Sequence, residues 1–487
     1  MVKKVLYDLI FKGGGLVDPV GGFKGDLDLA VLKGRVERVQ EDLNPDLAKE
    51  VIEVKGLVLV PGLIDPHVHA SNWLGGPRAH AMLAKAGVTT ALDMSGPTEK
   101  VLKYLAQYGL GLNLACLEYL RPGHTLTSDH PGLAELSDCL DRALKAGAIG
   151  LKILGGHYPL TAEASQAAIE LSAERGTYLA FHAGSQNARS DLNGLIQALE
   201  LAGQRPMHLA HINSYCRGYV KPCLEETAQA LKILEKRPRV FSESYLSPIN
   251  GTSGEIAQGL PTSQVTIDCL NFKGYPPTAQ GLERAILEGW AMVHKANDSE
   301  VSLATGTEGL EYWRDMKSRV GLSFSINPPQ PRMILATAKK ANGDFAVSAI
   351  STDGGGIPRN VTAFMGLALV RLGALSLEEF VWKSSYAPAL ALGLSAHRGH
   401  LAPGAWADIT GLDLKLGQAV LTVVSGQVIA NQGKLGPVRG GKVITTPQGE
   451  KAVKAHGLRA ELLRPEDRPF FARPGSRPGL GPGQANK

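Results

Sequence analysis

Two patterns of apolar and polar positions divide the chain. In residues 1–58, short apolar stretches such as VLYDLIF and DLDLAVL alternate with Gly, Asp and Asn. This pattern is typical of short antiparallel strands joined by turns. It returns near the carboxyl end, in HLAPGAWADITGLDL and AVLTVVSGQVIAN. We therefore predict a small discontinuous β-sandwich domain built from residues 1–58 and 396–450.

Residues 59–395 instead alternate short β-rich runs with apolar stretches of helical period. Eight such runs predict an α/β fold, a TIM-like (β/α)8 barrel. The runs are VLVPGLID, TTALDM, LNLACLEY, IGLKIL, TYLAFHA, MHLAHIN, VFSESY and FAVSAIS. Before the last run, residues 246–345 form an insertion with Gly/Pro/Ser loops and the helical pattern GLERAILEGWAMV. We expect this insertion to act as a lid or specificity loop.

The charges are balanced except in the last segment. The 487 residues carry a net charge of +5, but residues 451–487 hold eight Lys or Arg against three Asp or Glu. The body is therefore neutral, which argues against a nucleic-acid partner. We expect 451–487 to be a partly disordered tail, because RPGSRPGLGPGQANK is almost free of apolar residues.

The sequence shows no targeting signal and no disulfide pattern. No apolar run approaches the length of a bilayer span, and no signal-peptide pattern opens the chain, so we expect no membrane association. Five scattered cysteines without a CxxC pair favour a reducing, cytoplasmic location.

Residues able to bind a metal ion end several of the predicted strands. His67 and His69 are two positions apart at the end of LVLVPGLIDPHVH, so both imidazoles face the same side of a strand. Two histidines can fall at this spacing by chance. Four further strands end in the same way, however, and a barrel gathers the carboxyl ends of its strands on one face. The complete set is His67, His69, Lys152, His182, His211 and Asp353.

With these residues in place, the sequence resembles the amidohydrolase superfamily, in particular its dihydroorotase, hydantoinase and isoaspartyl dipeptidase branch. The matching segments cover residues 50–412. They are PGLIDPHVH, AGVTT, GAIGLKI, AFHAGS, LAHINS, STDGGG and APGAWADI.

The resemblance implies a hydrolase with a binuclear metal centre, usually of zinc. His67 and His69 would bind one ion and His182 and His211 the other. Asp353 would lie beside the first ion, and a carboxylated Lys152 would bridge both. Nitrogen and oxygen donors without thiolate favour Zn²⁺, while Mn²⁺, Co²⁺ and Fe²⁺ remain open.

The implied reaction is attack on an amide-type C–N bond by a hydroxide that bridges the ions. Asp353 would act as the general base and then as the general acid. Two structural alternatives stay open. In the first, Lys152 is only a salt-bridged or snorkelling lysine at a strand end. In the second, Asp353 is only a turn residue before GGG.

Four further residues are candidates for substrate binding. His157 and Tyr158 lie in the loop after Lys152, where they could donate to an oxyanion, although a loop histidine is more often simply solvated. Tyr215 and Arg217 follow His211, and an arginine there could bind a substrate carboxylate with both arms. A surface arginine paired with a neighbouring acid is an equal alternative.

The sequence leaves three functions open. The first is a metal-dependent amidohydrolase that cleaves a small-molecule amide, cyclic amide or N-acyl amino acid, for which the resemblance implies a homo-oligomer. The second is an N-formyl hydrolase or transferase subunit, because LAHINSYCRG and the GGPR after HASNW resemble the catalytic subunit of formylmethanofuran dehydrogenases. The third is a non-catalytic scaffold of the dihydropyrimidinase-related kind, which the presence of all six candidate ligands disfavours.

Overall fold

The computed structural model describes residues 5–71, 76–109, 111–436 and 440–463. Strands from both ends of the chain pair in one sheet. Val58–Pro61 lies antiparallel to Ile409–Asp413 on one side and parallel to Gly15–Asp18 on the other. Apolar side chains from both ends fill the core beneath it, among them Phe11 and Val423.

Within the described residues this β region has eleven strands, in one sheet of four strands and one of seven. In chain order they are Tyr7–Lys12, Gly15–Asp18, Phe23–Asp26, Asp28–Leu32, Arg35–Gln40, Ala48–Glu53, Val58–Pro61, Ile409–Asp413, Gln418–Val424, Gln427–Asn431 and Lys434–Leu435.

Each of the eight runs predicted between the two ends contains a strand. The strands are Leu63–His69, Val88–Asp93, Asn113–Cys116 with its continuation Glu118–Leu120, Gly150–Leu154, Tyr178–His182, Met207–Leu209, Val240–Tyr245 and Ala349–Ser351. Parallel pairing joins successive strands, apart from the one-residue break at Leu117. Just beyond the last strand, Gly354–Gly355 pairs parallel with the first. The carboxyl ends of the strands therefore lie on a common side.

Among the described residues up to 395, and apart from the insertion, six α-helices lie between these strands in the chain and three follow the last strand. They are Pro77–Lys85, Thr98–Tyr108, Leu133–Ala146, Ala162–Arg175, Leu192–Ala202, Cys223–Leu234, Thr362–Arg371, Leu377–Val381 and Ala387–Ala391, with a π-helical turn at Trp382–Tyr386. Local sequence fixes several helix ends. Thr161 and Asp191 accept hydrogen bonds from the first turns of their helices, and Gly176 ends one helix in the left-handed conformation. None of the described helices is long and apolar enough to cross a membrane.

The insertion is a small α/β unit rather than a set of loops. Its strands Asn250–Ser253, Ala291–Ala296, Val301–Ala304 and Gly321–Phe324 form one sheet, with a short hairpin at Ile256–Ala257 and Leu260–Pro261. Helices Gln264–Lys273, Ala279–Leu287, Gly306–Asp315 and Pro329–Thr337 accompany it. The unit has its own core, which includes Trp313 and Phe324. In the predicted helix GLERAILEGWAMV, only the first half is helical, because Ala291 begins a strand.

The segment from Val443 onward does not lie in the β domain to which the sequence analysis assigned residues up to 450. Val443–Thr445 lies outside the β region and pairs parallel with Asn113–Cys116, while Ala460–Leu462 pairs with it in turn. Between them runs the short helix Glu450–Ala455. Burial of Val443 and Ile444 explains this docking. The predicted tail is therefore ordered as far as Leu463, and its remainder, residues 464–487, lies outside the described residues.

Candidate metal centre

The predicted ligands lie at the carboxyl ends of five strands. His67 and His69 occupy alternate positions in Leu63–His69, and His182 is the last residue of Tyr178–His182. His211 and Asp353 stand just beyond their strands, with positive φ angles of 34° and 48°. Such φ angles are uncommon for residues other than glycine, so the surrounding contacts hold both backbones in place.

Asp353, which follows the last strand, lies beside the two histidines of the first strand. Its Oδ1 atom lies 3.4 Å from Nε2 of His67 and 3.3 Å from Nε2 of His69. The candidate ligand atoms of these three residues all fall within 4.8 Å of one another. His67 is almost fully buried, and the side chain of His69 is one-fifth exposed. One ion could reach all three groups from the open side of the site.

A second group of donors adjoins the first. Nε2 of His211 lies 3.0 Å from Nδ1 of His182, and the rings of His211 and His67 stack with centroids 5.2 Å apart. Nζ of Lys152 lies 3.4 Å from Nε2 of His67. The structure thus brings all six sequence-predicted residues into one site.

The donors present suit a divalent cation. Two imidazole nitrogens that face each other need a shared proton or a cation, and burial lowers the pKa of both His182 and His211 well below the ordinary value. Among the described residues, Nδ1 of His211 has no hydrogen-bond partner. Buried neutral imidazoles beside a carboxylate match the nitrogen and oxygen donors that zinc binds.

Lys152 is unusual for a lysine. It is 1% exposed, and its Nζ atom contacts the sulfur of Met94 at 2.9 Å. In the part of the chain that the structure describes, it forms no ion pair with a carboxylate. Burial lowers the pKa of Lys152 to about 8. The neutral amine is therefore accessible near physiological pH, and this is the form that reacts with carbon dioxide.

Sequence reasoning missed Arg359, which controls the charge of Asp353. Its guanidinium is 2% exposed and lies 2.6 Å from Oδ2 of Asp353, while Nε donates to the Asp353 carbonyl at 2.8 Å. Burial alone would raise the pKa of Asp353, but Arg359 and the neighbouring histidines hold it well below its usual range. Asp353 is consequently ionised, with Oδ1 facing the histidines. Arg359 follows GGGIP in a loop, so no strand pattern marks it in the sequence.

Two buried acids were also missed. Asp65 accepts hydrogen bonds from the backbone of His67 at 3.1 Å and of Thr352 at 3.3 Å, and thereby ties the first strand to the last. Burial raises the pKa of Asp65 to about 7. Glu243, in Val240–Tyr245, contacts His67 directly. Asp65 interrupts the apolar run LVLVPGLID, and this was the available signal in the sequence, whereas Glu243 stands between two serines in VFSESY.

The four candidate substrate residues lie around this site in different settings. The exposed His157 packs its ring 5.1 Å from that of His182, and Tyr158 is 38% exposed beneath the guanidinium of Arg121. The hydroxyl of buried Tyr215 accepts a hydrogen bond from Ala183 N at 2.8 Å, so this side chain braces the backbone after His182.

Arg217 is held without an acid. Its Nε atom donates to Asn327 at 2.8 Å, and Nη2 donates to Ser214 and to the Tyr245 hydroxyl at 3.2 Å each. The ring of Tyr245 in turn lies 6.4 Å from that of His211. In the described part of the chain Arg217 has no carboxylate partner. The surface ion pair that the sequence left open as an alternative is absent there.

Comparison with known proteins points to one family. A model of the Amidohydrolase family matches residues 283–442, which include Asp353. A dihydroorotase of Geotalea daltonii is 24% identical over 463 residues, covering 90% of this chain and 96% of that protein. A dihydroorotase of Streptococcus thermophilus is 29% identical over 208 residues, 41% of this chain and 47% of that protein. The match thus spans about half the length of the latter.

Solved structures share the fold. A structure of D-aminoacylase that concerns its binuclear metal centre superposes with a TM-score of 0.64 at 19% identity, covering 90% of this chain and 99% of that one. The formyltransferase/hydrolase complex of Methylorubrum extorquens with methylofuran contains a chain that superposes with a TM-score of 0.59 at 18% identity, covering 90% and 91%.

Proposed function

We propose that the chain is a metal-dependent hydrolase of the amidohydrolase superfamily, acting on a small-molecule amide, cyclic amide or N-acyl amino acid. The bond cleaved is a carbon–nitrogen bond other than a peptide bond. One observation carries the proposal. Six side chains from five separate strand ends meet in a single site, with the His67, His69 and Asp353 donors within 4.8 Å of one another.

We interpret the parallel strands as a distorted (β/α)8 barrel, with the discontinuous β region as a separate domain. Parallel pairing from Leu63–His69 to Ala349–Ser351, and the return of Gly354–Gly355 to the first strand, support this interpretation. Active sites of such barrels lie at the carboxyl ends of the strands, where the six residues are found.

The site would hold two divalent cations, with zinc favoured by the donors. His67, His69 and Asp353 would hold one, and His182 and His211 the other, with a carboxylated Lys152 between them. Carboxylation joins the neutral Lys152 amine to carbon dioxide and releases one proton, so the neutral amine becomes an anion. Starting from the protonated lysine, two protons are released and a cation becomes an anion. The ions would make water nucleophilic at neutral pH and polarise the carbonyl under attack.

Asp353 would then move the proton. Arg359 keeps this carboxylate ionised by pairing with Oδ2, and Oδ1 is left facing the histidines. Oδ1 is therefore the atom placed to accept a proton from the attacking water and to return it to the leaving nitrogen. His157 and Tyr158, at the rim, are candidates to donate to the oxyanion.

Arg217 supports an anionic substrate. The hydrogen-bond partners of this guanidinium are uncharged, so its positive charge is not neutralised and can attract an anionic ligand. The planar guanidinium also matches the geometry of a carboxylate. Arg217 donates to the Tyr245 hydroxyl, and the Tyr245 ring lies 6.4 Å from that of His211. This favours N-acyl amino acids, or cyclic amides that carry a carboxylate, over neutral amides.

The test combines metal analysis with a substrate screen. The zinc-loaded protein should hydrolyse at least one N-acyl amino acid of either hand, hydantoin or carboxylated lactam. Asp353→Asn should retain bound metal and lose turnover by at least about 100-fold, because a proton carrier is removed. A metal-free protein would refute the metal centre and favour the non-catalytic scaffold. An active Asp353→Asn would refute the proton transfer.

A second candidate is the N-formyl hydrolase or transferase subunit. The similarity to a chain of the formyltransferase/hydrolase complex favours it. The GGPR motif lies partly outside the described residues. Full activity of the isolated chain on simple amides would count against this candidate, since such a subunit would need its partners.

A further inference from the structure

Glu243 lies at the centre of the contacts behind the candidate metal site. It is fully buried in Val240–Tyr245, between the strands that precede His211 and Asp353. Oε1 accepts a hydrogen bond from Nδ1 of His67 at 2.7 Å and from the backbone N–H of His211 at 2.8 Å. Oε2 accepts one from the Ser351 hydroxyl. One carboxylate therefore touches three of the strands that carry ligands.

Each of these contacts orients a candidate ligand. A hydrogen bond from Nδ1 to a carboxylate places the His67 proton on Nδ1, so the lone pair of Nε2 points toward Asp353. The bond from the His211 backbone helps to hold its φ of 34°, which turns the imidazole toward His182. The Ser351 contact holds the strand that ends two residues before Asp353.

No lysine or arginine of the described residues forms an ion pair with Glu243, although Lys152, when protonated, interacts with it electrostatically. In the described part of the chain, its only ion-pair contacts are with histidines, His67 at 2.7 Å and His208 at 3.5 Å. A buried carboxylate without a lysine or arginine partner is costly unless other positive charge is nearby. A cation on the far side of His67 would supply that charge through the imidazole.

We infer that Glu243 is a positioning residue that sets the metal affinity of the site. It does so by fixing the tautomer of His67 and the backbone of His211, and by adding negative charge behind the ligands. The inference rests on the proposed metal centre. Outer carboxylates that bind a ligating histidine typically change metal affinity by about 10- to 100-fold.

The decisive variant is Glu243→Gln, which keeps the shape and removes the charge. A glutamine has one accepting oxygen and a donating NH₂, so it cannot accept from His67, His211 and Ser351 together. We expect zinc affinity, measured by competition with a chromophoric chelator, to fall by about 10- to 100-fold. The visible spectrum of the Co²⁺-loaded protein should also change, because the ligand orientation changes.

Glu226→Gln is the matched control. Glu226 is also fully buried and accepts three hydrogen bonds, from the backbone N–H groups of Gly218, Val220 and Lys221 at 2.7–3.0 Å. None of its hydrogen bonds within the described residues reaches a candidate ligand. Its variant should bear a similar stability cost and keep wild-type zinc affinity and the wild-type Co²⁺ spectrum.

The outcomes separate the inference from the function. A folded Glu243→Gln protein with wild-type zinc affinity would overturn the inference, as would an equal loss of affinity in Glu226→Gln. If Glu243→Gln does not fold, Glu243→Asp decides, since it keeps the charge but shortens the reach. Weaker zinc binding with an altered Co²⁺ spectrum supports the positioning role, and unchanged values overturn it. A wild-type protein that binds no metal would instead refute the proposed metal centre.

Discussion

Gly156 allows His182 to occupy its place in the site. It lies in the loop after Gly150–Leu154, and a Cβ atom added there would lie 2.0 Å from Nε2 and 2.7 Å from Cδ2 of His182. Ordinary contacts between such atoms begin near about 3.5 Å. The imidazole would have to retreat by roughly 1.5 Å to accept an alanine. That movement would disturb the contact between Nδ1 of His182 and Nε2 of His211, now 3.0 Å apart.

We therefore expect Gly156→Ala to lower kcat by about 100-fold, since displacements of about 1 Å cost this much in aligned sites. Metal content per chain should fall, while the melting temperature of the metal-free protein should change little. The control is Gly132→Ala, because nothing lies within 4 Å of a Cβ added at Gly132. Wild-type kcat and metal content in Gly156→Ala would show that His182 is not needed where it stands.

Three other side chains, Lys383, Lys152 and Arg217, give further predictions. Burial lowers the pKa of Lys383 to about 7, so the native state gives up a proton that the unfolded chain keeps up to a pH of about 10. The free energy of unfolding should therefore rise between a pH of about 7 and a pH of about 10, by roughly 5 kcal/mol in total. Lys383→Met lacks this titration, so the difference in melting temperature between wild type and this variant should change with pH over the same range. Added bicarbonate should raise zinc uptake by the wild-type apoprotein but not by Lys152→Ala, and equal uptake by both would remove the carboxylated bridge. Arg217→Gln should raise KM for N-acyl amino acids by about 10- to 100-fold, and an equal rise for neutral amides would argue against carboxylate binding.

The strands and the ligand positions could be predicted from the sequence because both follow short-range rules. Runs such as IGLKIL and TYLAFHA mark buried parallel strands, and a ligand at the end of each run marks the common edge. The spacing of His67 and His69 needs only the two-residue period of a strand. These rules operate within a few residues, so they require no knowledge of the folded chain.

The missed residues depend on contacts that are distant in sequence. Glu243 meets His67 across 176 positions, and Asp65 meets Thr352 across 287. No local period connects these pairs. The fold of the insertion was missed for a related reason, because its short strands pair out of chain order, with Asn250–Ser253 beside Gly321–Phe324.

The charge state of Lys152 is coupled to metal binding by the charges of Glu243, Asp353 and Arg359 around it. With Lys152 protonated, it and Arg359 offset the ionised Glu243 and Asp353, and nothing in that balance calls for a metal ion. Carboxylation would change the charge at Lys152 by two units, from positive to negative. The same buried space would then hold an excess of negative charge that only bound cations could offset. Modification of Lys152 and uptake of divalent ions would therefore stabilise each other, and neither would be complete without the other.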